Sequence, residues 1–256
     1  MTFKSTCIKF VIASSAIACL HVFFGVNLGW LILPGAVWLA LIIYGSASIQ
    51  VGFFAPVCCH GSRLTNEIAL SFDDGPNPEY TPQVLATLAQ YNALATFFVI
   101  GKNITGNENI LKQIDAAGHS IGNHSYTHSF FIDFKSVQGF KDELNQTADI
   151  VFNITGKHMK FFRPPYGVTT LHLVKAASLL NYSIIGWTVR SLDTTADTAQ
   201  TIVRRVQTQI KPGAVILFHD TSDKTIEVLK QTLNFARDKG YKIVSLEQLL
   251  KIKAYV

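Results

Sequence analysis

The sequence predicts an α/β fold, a parallel sheet closing into a (β/α)7 barrel behind an apolar N-terminal membrane anchor. Three observations predict it. Seven short apolar runs alternate with segments of helical periodicity from Ile68 onward. The 256 residues leave one domain of about 200 once the first sixty are set aside. Those first sixty are almost free of charge: no Lys, Arg, Asp or Glu stands between Phe10 and Ser62.

The anchor comes first in the chain. Hydrophobic residues make up 48% and charged residues 15%, and the apolar excess is concentrated here. Residues 10–26 and 28–44 read as two short transmembrane helices separated by Asn27, each about 17 residues against a usual 20. The apolar character runs past any cleavage point, which disfavours a removed signal peptide. Lys4 and Lys9 favour a cytoplasmic N-terminus, so one span and two spans place the domain on opposite sides. All four cysteines (Cys7, Cys19, Cys58 and Cys59) lie within 1–62, so residues 63–256 carry no disulfide framework. The net charge of +5 comes without a basic run, which excludes a nucleic-acid partner. No protein partner is implied.

In the domain, 63–256, the apolar runs predict strands at 68–72, 96–100, 119–122, 160–163, 183–187, 214–218 and 242–244. Helical spacing predicts helices over 82–90, 108–117, 137–151, 171–180, 201–210 and 224–238. Seven parallel strands in about 190 residues favour one curled sheet, and functional residues of such folds collect at the C-terminal ends of the strands.

Five polar clusters fall at those ends. Asp73 and Asp74 close the first strand, and Gly75-Pro76 then forces a turn. Adjacent carboxylates repel, and a cation relieves that cost. A solvated turn is the competing reading. His124 and His128 follow the third strand at i and i+4, a spacing that puts both imidazoles on one side of a helical turn and recurs among metal ligands. Such a pair is also common as plain structure, but with Asp74 it makes a His-His-Asp set that leaves metal positions open. Arg163-Pro164-Pro165-Tyr166-Gly167 ends the fourth strand, either an ordinary Pro-rich turn or a stiff loop presenting a guanidinium and a backbone N–H. Asp193 either caps a helical turn or orients a histidine. His219 emerges from the run 215–218, where a proton donor or a satisfied polar residue fits.

Taken together and in this order, the clusters resemble those of the NodB-homology polysaccharide deacetylases (carbohydrate esterase family 4). The resemblance covers about Ile68 to Leu249. It implies a distorted (β/α) barrel and a divalent metal, usually zinc, with cobalt or another divalent ion as alternatives. It implies that Asp74, His124 and His128 bind the metal and that Asp73 is the general base, tuned by Arg163. His219 becomes the general acid, oriented by Asp193. The Tyr166 N–H helps bind the oxyanion, and Leu217 lines the acetate pocket. The fourth motif departs from the family's Asp-x-x-Asp-Trp: Arg190 stands for its first Asp and Thr194 for its Trp, which alters the sugar groove.

The expected activity is removal of N-acetyl groups from an amino-sugar polysaccharide, peptidoglycan or a chitin-like polymer. The expected location is the cytoplasmic membrane with the catalytic domain outside. The same chemistry on a lipid-linked amino sugar, as a deformylase or deacetylase, is one alternative. A non-catalytic carbohydrate binder is another, but it would have lost a ligand, base or acid, and Asp73, Asp74, His124, His128 and His219 are all present. A membrane scaffold gives no reason for the metal-ligand spacing.

Overall fold

The computed structural model describes Met1–Val256. Two apolar helices lead, α1 (Phe3–Phe24) and α2 (Ile32–Ala47). Strands and helices then alternate: β1 (Glu67–Asp73), α3 (Thr81–Gln90), β2 (Ala95–Val99), α4 (Gly101–Ile104), α5 (Glu108–Ala116), β3 (Ser120–Asn123), α6 (Val137–Thr155), β4 (Phe161–Phe162), α7 (Leu171–Leu179), β5 (Ser183–Ile184), β6 (Val189–Arg190), α8 (Ala199–Gln209), β7 (Val215–His219), α9 (Asp223–Asp238), β8 (Lys242–Ile243) and α10 (Leu246–Leu250).

The leading helices start and end earlier and later than the hydropathy reading suggests. The Thr2 hydroxyl accepts from Ser5 N and starts α1, which takes in Lys4 and Lys9. Gly25 ends it in the left-handed region at φ 69°. Asn27 then accepts from Gly29 N and starts the return. Phe10 stacks near Trp38 (5.2 Å), and Phe3 N donates to Phe53 O (2.8 Å), so the helices run antiparallel with both outer ends at the barrel. Phe3–Phe24, and α2 together with the 3₁₀ turn before it (Leu28–Ala47), are each long and apolar enough to cross a membrane.

All strand pairs are parallel, in the order β5-β4-β3-β2-β1-β7-β6, with β8 beside the start of β1. Eight strands are present where seven are expected, because the run 183–187 breaks: Ile185 pairs with Cys58, and the chain resumes as β6. The two outermost strands are thus consecutive in sequence, separated by 185–188. Five residue steps reach at most about 18 Å, so the sheet must curl until its edges approach. Residues 57–60 fill the seam, with Cys58 bridged to Ile185 and His60 to Ala214.

Strand alternation builds two layers. In β1, Ile68, Leu70 and Phe72 face outward and pack with Val84, Leu88, Val228 and Leu229 of the surrounding helices. Ala69 faces the barrel interior with Phe98, Phe161, Ile185, Trp187, Val215 and Leu217. Ser71 and Asp73 share that inward side, and their polar partner there is Arg163, fully buried at 0% exposure.

Candidate active site

Parallel registry carries the clusters to one rim. Asp73 lies level with His219 on β7 and with Phe98 on β2, Val99 with Asn123, and Asn123 with Phe162. Neighbouring strands are about 4.8 Å apart, so the groups that follow these ends meet across the barrel mouth. The outcome matches the strand-end expectation, although the fourth and fifth strands are only two residues long.

Asp74, His124 and His128 come together. The Nε2 atoms of both histidines lie 3.5 Å from Asp74 Oδ1, and one ligand atom from each residue fits within a 4.8 Å cluster. The histidines do not share a helical turn, which corrects that expectation. Residues 124–128 form an irregular loop with Ser125 at φ 65° and His128 at φ 47°. The buried Glu143 of α6 shapes it: its carboxylate accepts from Tyr126 N (3.0 Å), Thr127 N (2.7 Å) and the Thr127 hydroxyl (2.8 Å). The Asn123 side chain accepts from Ser125 N (2.9 Å), and the Ser125 hydroxyl from His128 N (3.1 Å). These bonds aim both rings at Asp74 without helical geometry.

This set suits a divalent cation. Asp74 Oδ1 is buried and has no hydrogen-bond partner, a costly condition that a cation removes. His124 Nδ1 lies 2.7 Å from Arg163 O. A carbonyl can only accept, so Nδ1 carries a proton and Nε2 is the nitrogen left facing Asp74; burial opposes a charge on His124, but Asp73 and Asp74 raise it above the ordinary imidazole range, and a bound cation would take the place of the Nε2 proton. Burial pushes His128 down to about 4, helped by the charge of His124, so its ring is neutral and able to ligate at neutral pH. Burial alone would raise Asp74, but the imidazoles of His124, His219 and His128 hold it well below the usual carboxylate range.

Asp73 is the unshared carboxylate. Arg163 Nη1 donates to its Oδ1 at 2.7 Å and to the Ser71 hydroxyl at 2.9 Å. The other guanidinium donors reach Ile185 O (3.3 Å) and Gly186 O (3.1 Å). The Phe98 ring lies 4.1 Å from the guanidinium carbon, adding cation–π attraction. Asp73 Oδ2 remains 3.7 Å from His124 Nε2.

Opposite lies His219. Its Nδ1 is 2.8 Å from Asp193 Oδ1, and its backbone N donates to Asp193 Oδ2 at 2.9 Å. The Ser191 and Thr225 hydroxyls also donate to Asp193 (2.9 and 2.8 Å). Asp193 is therefore not a helix cap but a fully bonded buried acceptor. Burial opposes a charge on His219, yet the bond and charge of Asp193, helped by Asp73 and Asp74, lift it to about 9.

Tyr166 sits beside His128, ring centroids 4.6 Å apart, on a loop turned by left-handed φ angles at Tyr166 (58°) and Gly167 (72°). Gly167 is required twice over, since a Cβ there would also meet Trp187 at 2.3 Å. Leu217 is buried two residues below His219 on the same inward side of β7. Arg190 is exposed with its guanidinium 5.5 Å from the Trp187 ring, and Thr194 is exposed. A polar cleft of about 330 Å³ opens beside Asp74, lined by Asn77, Lys102, Asn103, Asn107 and Thr221 among others.

The sequence reading assigns no role to three supporting residues. Glu143 is one, and its signal is a carboxylate on the α6 face that also carries buried Phe140, Leu144, Thr147 and Val151. Thr225 is another, a polar residue on the buried face of α9. Asp220 is the third: its carboxyl accepts from the Thr81 hydroxyl and packs against Gly75, where a Cβ would meet Oδ2 at 2.3 Å. Burial pushes Asp220 up to about 7.

The chain is similar to known proteins. A family model described as polysaccharide deacetylase matches residues 60–185. A peptidoglycan-N-acetylglucosamine deacetylase of Bacillus cereus is 35% identical over 189 residues, covering 72% of this chain and 68% of that protein. The peptidoglycan-N-acetylmuramic acid deacetylase PdaC of Bacillus subtilis is 34% identical over 73% of this chain and 39% of its own length. The crystal structure of the Bc1960 peptidoglycan N-acetylglucosamine deacetylase, solved with a naphthalenyl-N-oxidanyl-benzamide, superimposes with a TM-score of 0.74 at 33% identity, covering 77% of this chain and 94% of that one. With the curled parallel sheet and its rim in place, this chain belongs to the polysaccharide deacetylase (NodB-homology) family, hydrolases of the N-acetyl amide bond.

Proposed function

We propose that the chain is a membrane-anchored, divalent-metal-dependent deacetylase of an amino-sugar polysaccharide, with peptidoglycan the first substrate class and chitin-like polymers the second. One observation carries the reading: a buried, unpartnered carboxylate oxygen and two imidazoles converge beside a second carboxylate already held by an arginine. Deacetylases of this family generally depend on a divalent metal. Asp74, His124 and His128 would hold it, and when bound it supplies Lewis acidity toward the amide carbonyl and water. Zinc fits the nitrogen and oxygen donors, and cobalt fits them as well.

The chain's own groups do the proton work. Asp73 takes the proton of the attacking water through Oδ2, while Arg163 fixes Oδ1 and compensates its charge. The Tyr166 N–H stabilises the oxygen that becomes negative. Leu217 and the apolar interior around it receive the acetyl methyl. His219, protonated and with Nδ1 committed to Asp193, delivers its Nε2 proton to the leaving nitrogen. Acetate and a free amine result.

The polarity of this last step is testable. An acid must be protonated, so activity falls as pH rises through the His219 pKa. Asp193→Asn removes the charge that raises it, so the alkaline limb of the kcat profile should move to lower pH, toward the ordinary imidazole range near 6.5. A bound dication lowers the value in both proteins and leaves the direction of the shift unchanged. An unmoved limb would remove His219 from the role.

The substrate class is tested by acetate release from peptidoglycan and from N-acetylglucosamine polymers, with and without chelator. Release that a chelator abolishes and added zinc or cobalt restores is expected. Release indifferent to chelation contradicts the metal dependence.

α1 and α2 fit a hairpin anchor, apolar on all sides and nearly unburied by the protein. An antiparallel pair puts Met1 and the catalytic domain on one side of the bilayer. Lys4 and Lys9 lie at that end and argue for the cytoplasm; we place the domain outside, where the relatives' peptidoglycan is. A C-terminal alkaline phosphatase fusion should then be active, and an inactive fusion beside a fluorescent GFP fusion would put the domain inside.

A further inference from the structure

We propose that Phe130, Phe131 and Phe134 dock into the bilayer interface beside the apolar hairpin and hold the mouth of the active site at the membrane surface. The inference rests on the reading of α1 and α2 as the anchor. These three side chains are 77%, 68% and 84% exposed. Outside α1, no other phenylalanine is even half exposed. Contiguous exposed aromatic surface of this kind marks an interaction site.

The tip is built, not frayed. Ile132 N donates to Ser129 O (3.0 Å) and Phe134 N to Phe131 O (3.2 Å), forming a single 3₁₀ turn. Ile132 is fully buried and pins that turn to the barrel, leaving Phe131 before it and Phe134 after it exposed. Phe130 and Phe131 pack edge to face at 5.3 Å, and Phe134 follows at 6.5 Å from Phe131. Asp133, the one acid of the turn, faces inward with a buried Oδ1.

Its position names the occupant. The tip rests on segment 166–172: the Tyr166 hydroxyl donates to His128 O (3.3 Å), and His172 Nδ1 donates to Lys135 O (3.1 Å). Within that segment, Thr169 N donates to Ser46 O in the last turn of α2 (3.0 Å). Thr169 and His172 are three residues apart, a reach of about 10 Å at most. The aromatic tip therefore borders the end of the hairpin that emerges toward the domain. Phenylalanine has no polar group for a sugar hydroxyl, whereas an amphipathic surface buries such rings at the headgroup boundary. Since Phe130 follows the candidate ligand His128 by two residues, docking presents the site to glycan at the membrane surface, newly made or still lipid-linked.

The test uses the full chain in nanodiscs of phosphatidylethanolamine and phosphatidylglycerol, with photoreactive benzoylphenylalanine replacing Phe134 or, as a second position, Phe131. Trp30, in the hairpin turn, and Phe152, on α6, serve as reference positions. Lipid adducts at 134 and 131 should approach those at 30 and exceed those at 152 by about tenfold. Adducts at 134 and 131 no higher than at 152, with position 30 still labelled, overturn the docking and leave the anchor intact. No lipid at position 30 removes the anchor reading and this inference with it. Capture of an added chitooligosaccharide at 134 in place of lipid overturns the docking in favour of a sugar platform.

Discussion

Asp73→Asn should keep its metal and lose turnover by a factor of about 10² to 10⁴, the usual contribution of a general base. The substitution is nearly isosteric. Its amide oxygen can still accept from Arg163, whose remaining bonds to Ser71, Ile185 and Gly186 stay in place. Asp73 is also outside the candidate ligand trio, so Asp74, His124 and His128 remain available. What disappears is the proton-accepting oxygen 3.7 Å from His124 Nε2. Metal content and acetate release of the purified variant separate the two effects. Near-normal release would remove Asp73 from the role of base, and loss of metal would make it a ligand.

His124→Ala should fail earlier, at metal binding. It removes one of three donors, and the two left on Asp74 and His128 leave the site half built. It also deletes the 2.7 Å link from Nδ1 to Arg163 O, which ties the histidine loop to the arginine loop. Second-sphere losses alone typically cost about 10–100-fold in affinity, so loss of a ligand should cost at least as much. Titration at limiting metal should give substoichiometric binding, with activity partly recovered at high zinc. Unchanged stoichiometry at limiting metal would contradict the assignment.

The sequence carries the barrel because its physics is local. Apolar runs and helical spacing depend on neighbours a few residues apart, and β1, β2, β7 and the long helices α6 and α9 fall where those patterns place them. It carries the rim for a related reason: in an all-parallel sheet, every strand end points the same way, so residues that follow strand ends must cluster. The i, i+4 spacing of His124 and His128 points to two imidazoles that do converge, but not through a helical turn. Their convergence comes from Glu143 and Asn123 across a loop, a long-range cause that no spacing encodes. The break between Ile184 and Val189 is equally illegible, because it is set by Cys58, more than 120 residues upstream, pairing with Ile185. Asp193 is ambiguous in sequence for the same reason: its partners Thr225 and His219 lie on later elements. Nor does the aromatic run at 130–134 declare itself, since Phe130, Phe131 and Ile132 form an ordinary apolar triplet until burial separates the pinned isoleucine from its exposed neighbours.

The two departures from the family's fourth motif, Arg190 and Thr194, are both exposed. Arg190 is exposed against Trp187, while the Asp193 that binds His219 is retained.

The proposed deacetylation requires a single cation held by Asp74 and the two imidazoles, with Asp73 beside it and bound to Arg163. Anomalous diffraction at the zinc edge from crystals of the zinc-loaded protein reads this directly. One peak is expected, about 2.0–2.2 Å from a carboxylate oxygen of Asp74 and from the Nε2 atoms of His124 and His128, with Asp73 still paired to the guanidinium. A peak elsewhere, no peak at saturating zinc, or Asp73 in the coordination sphere would contradict it.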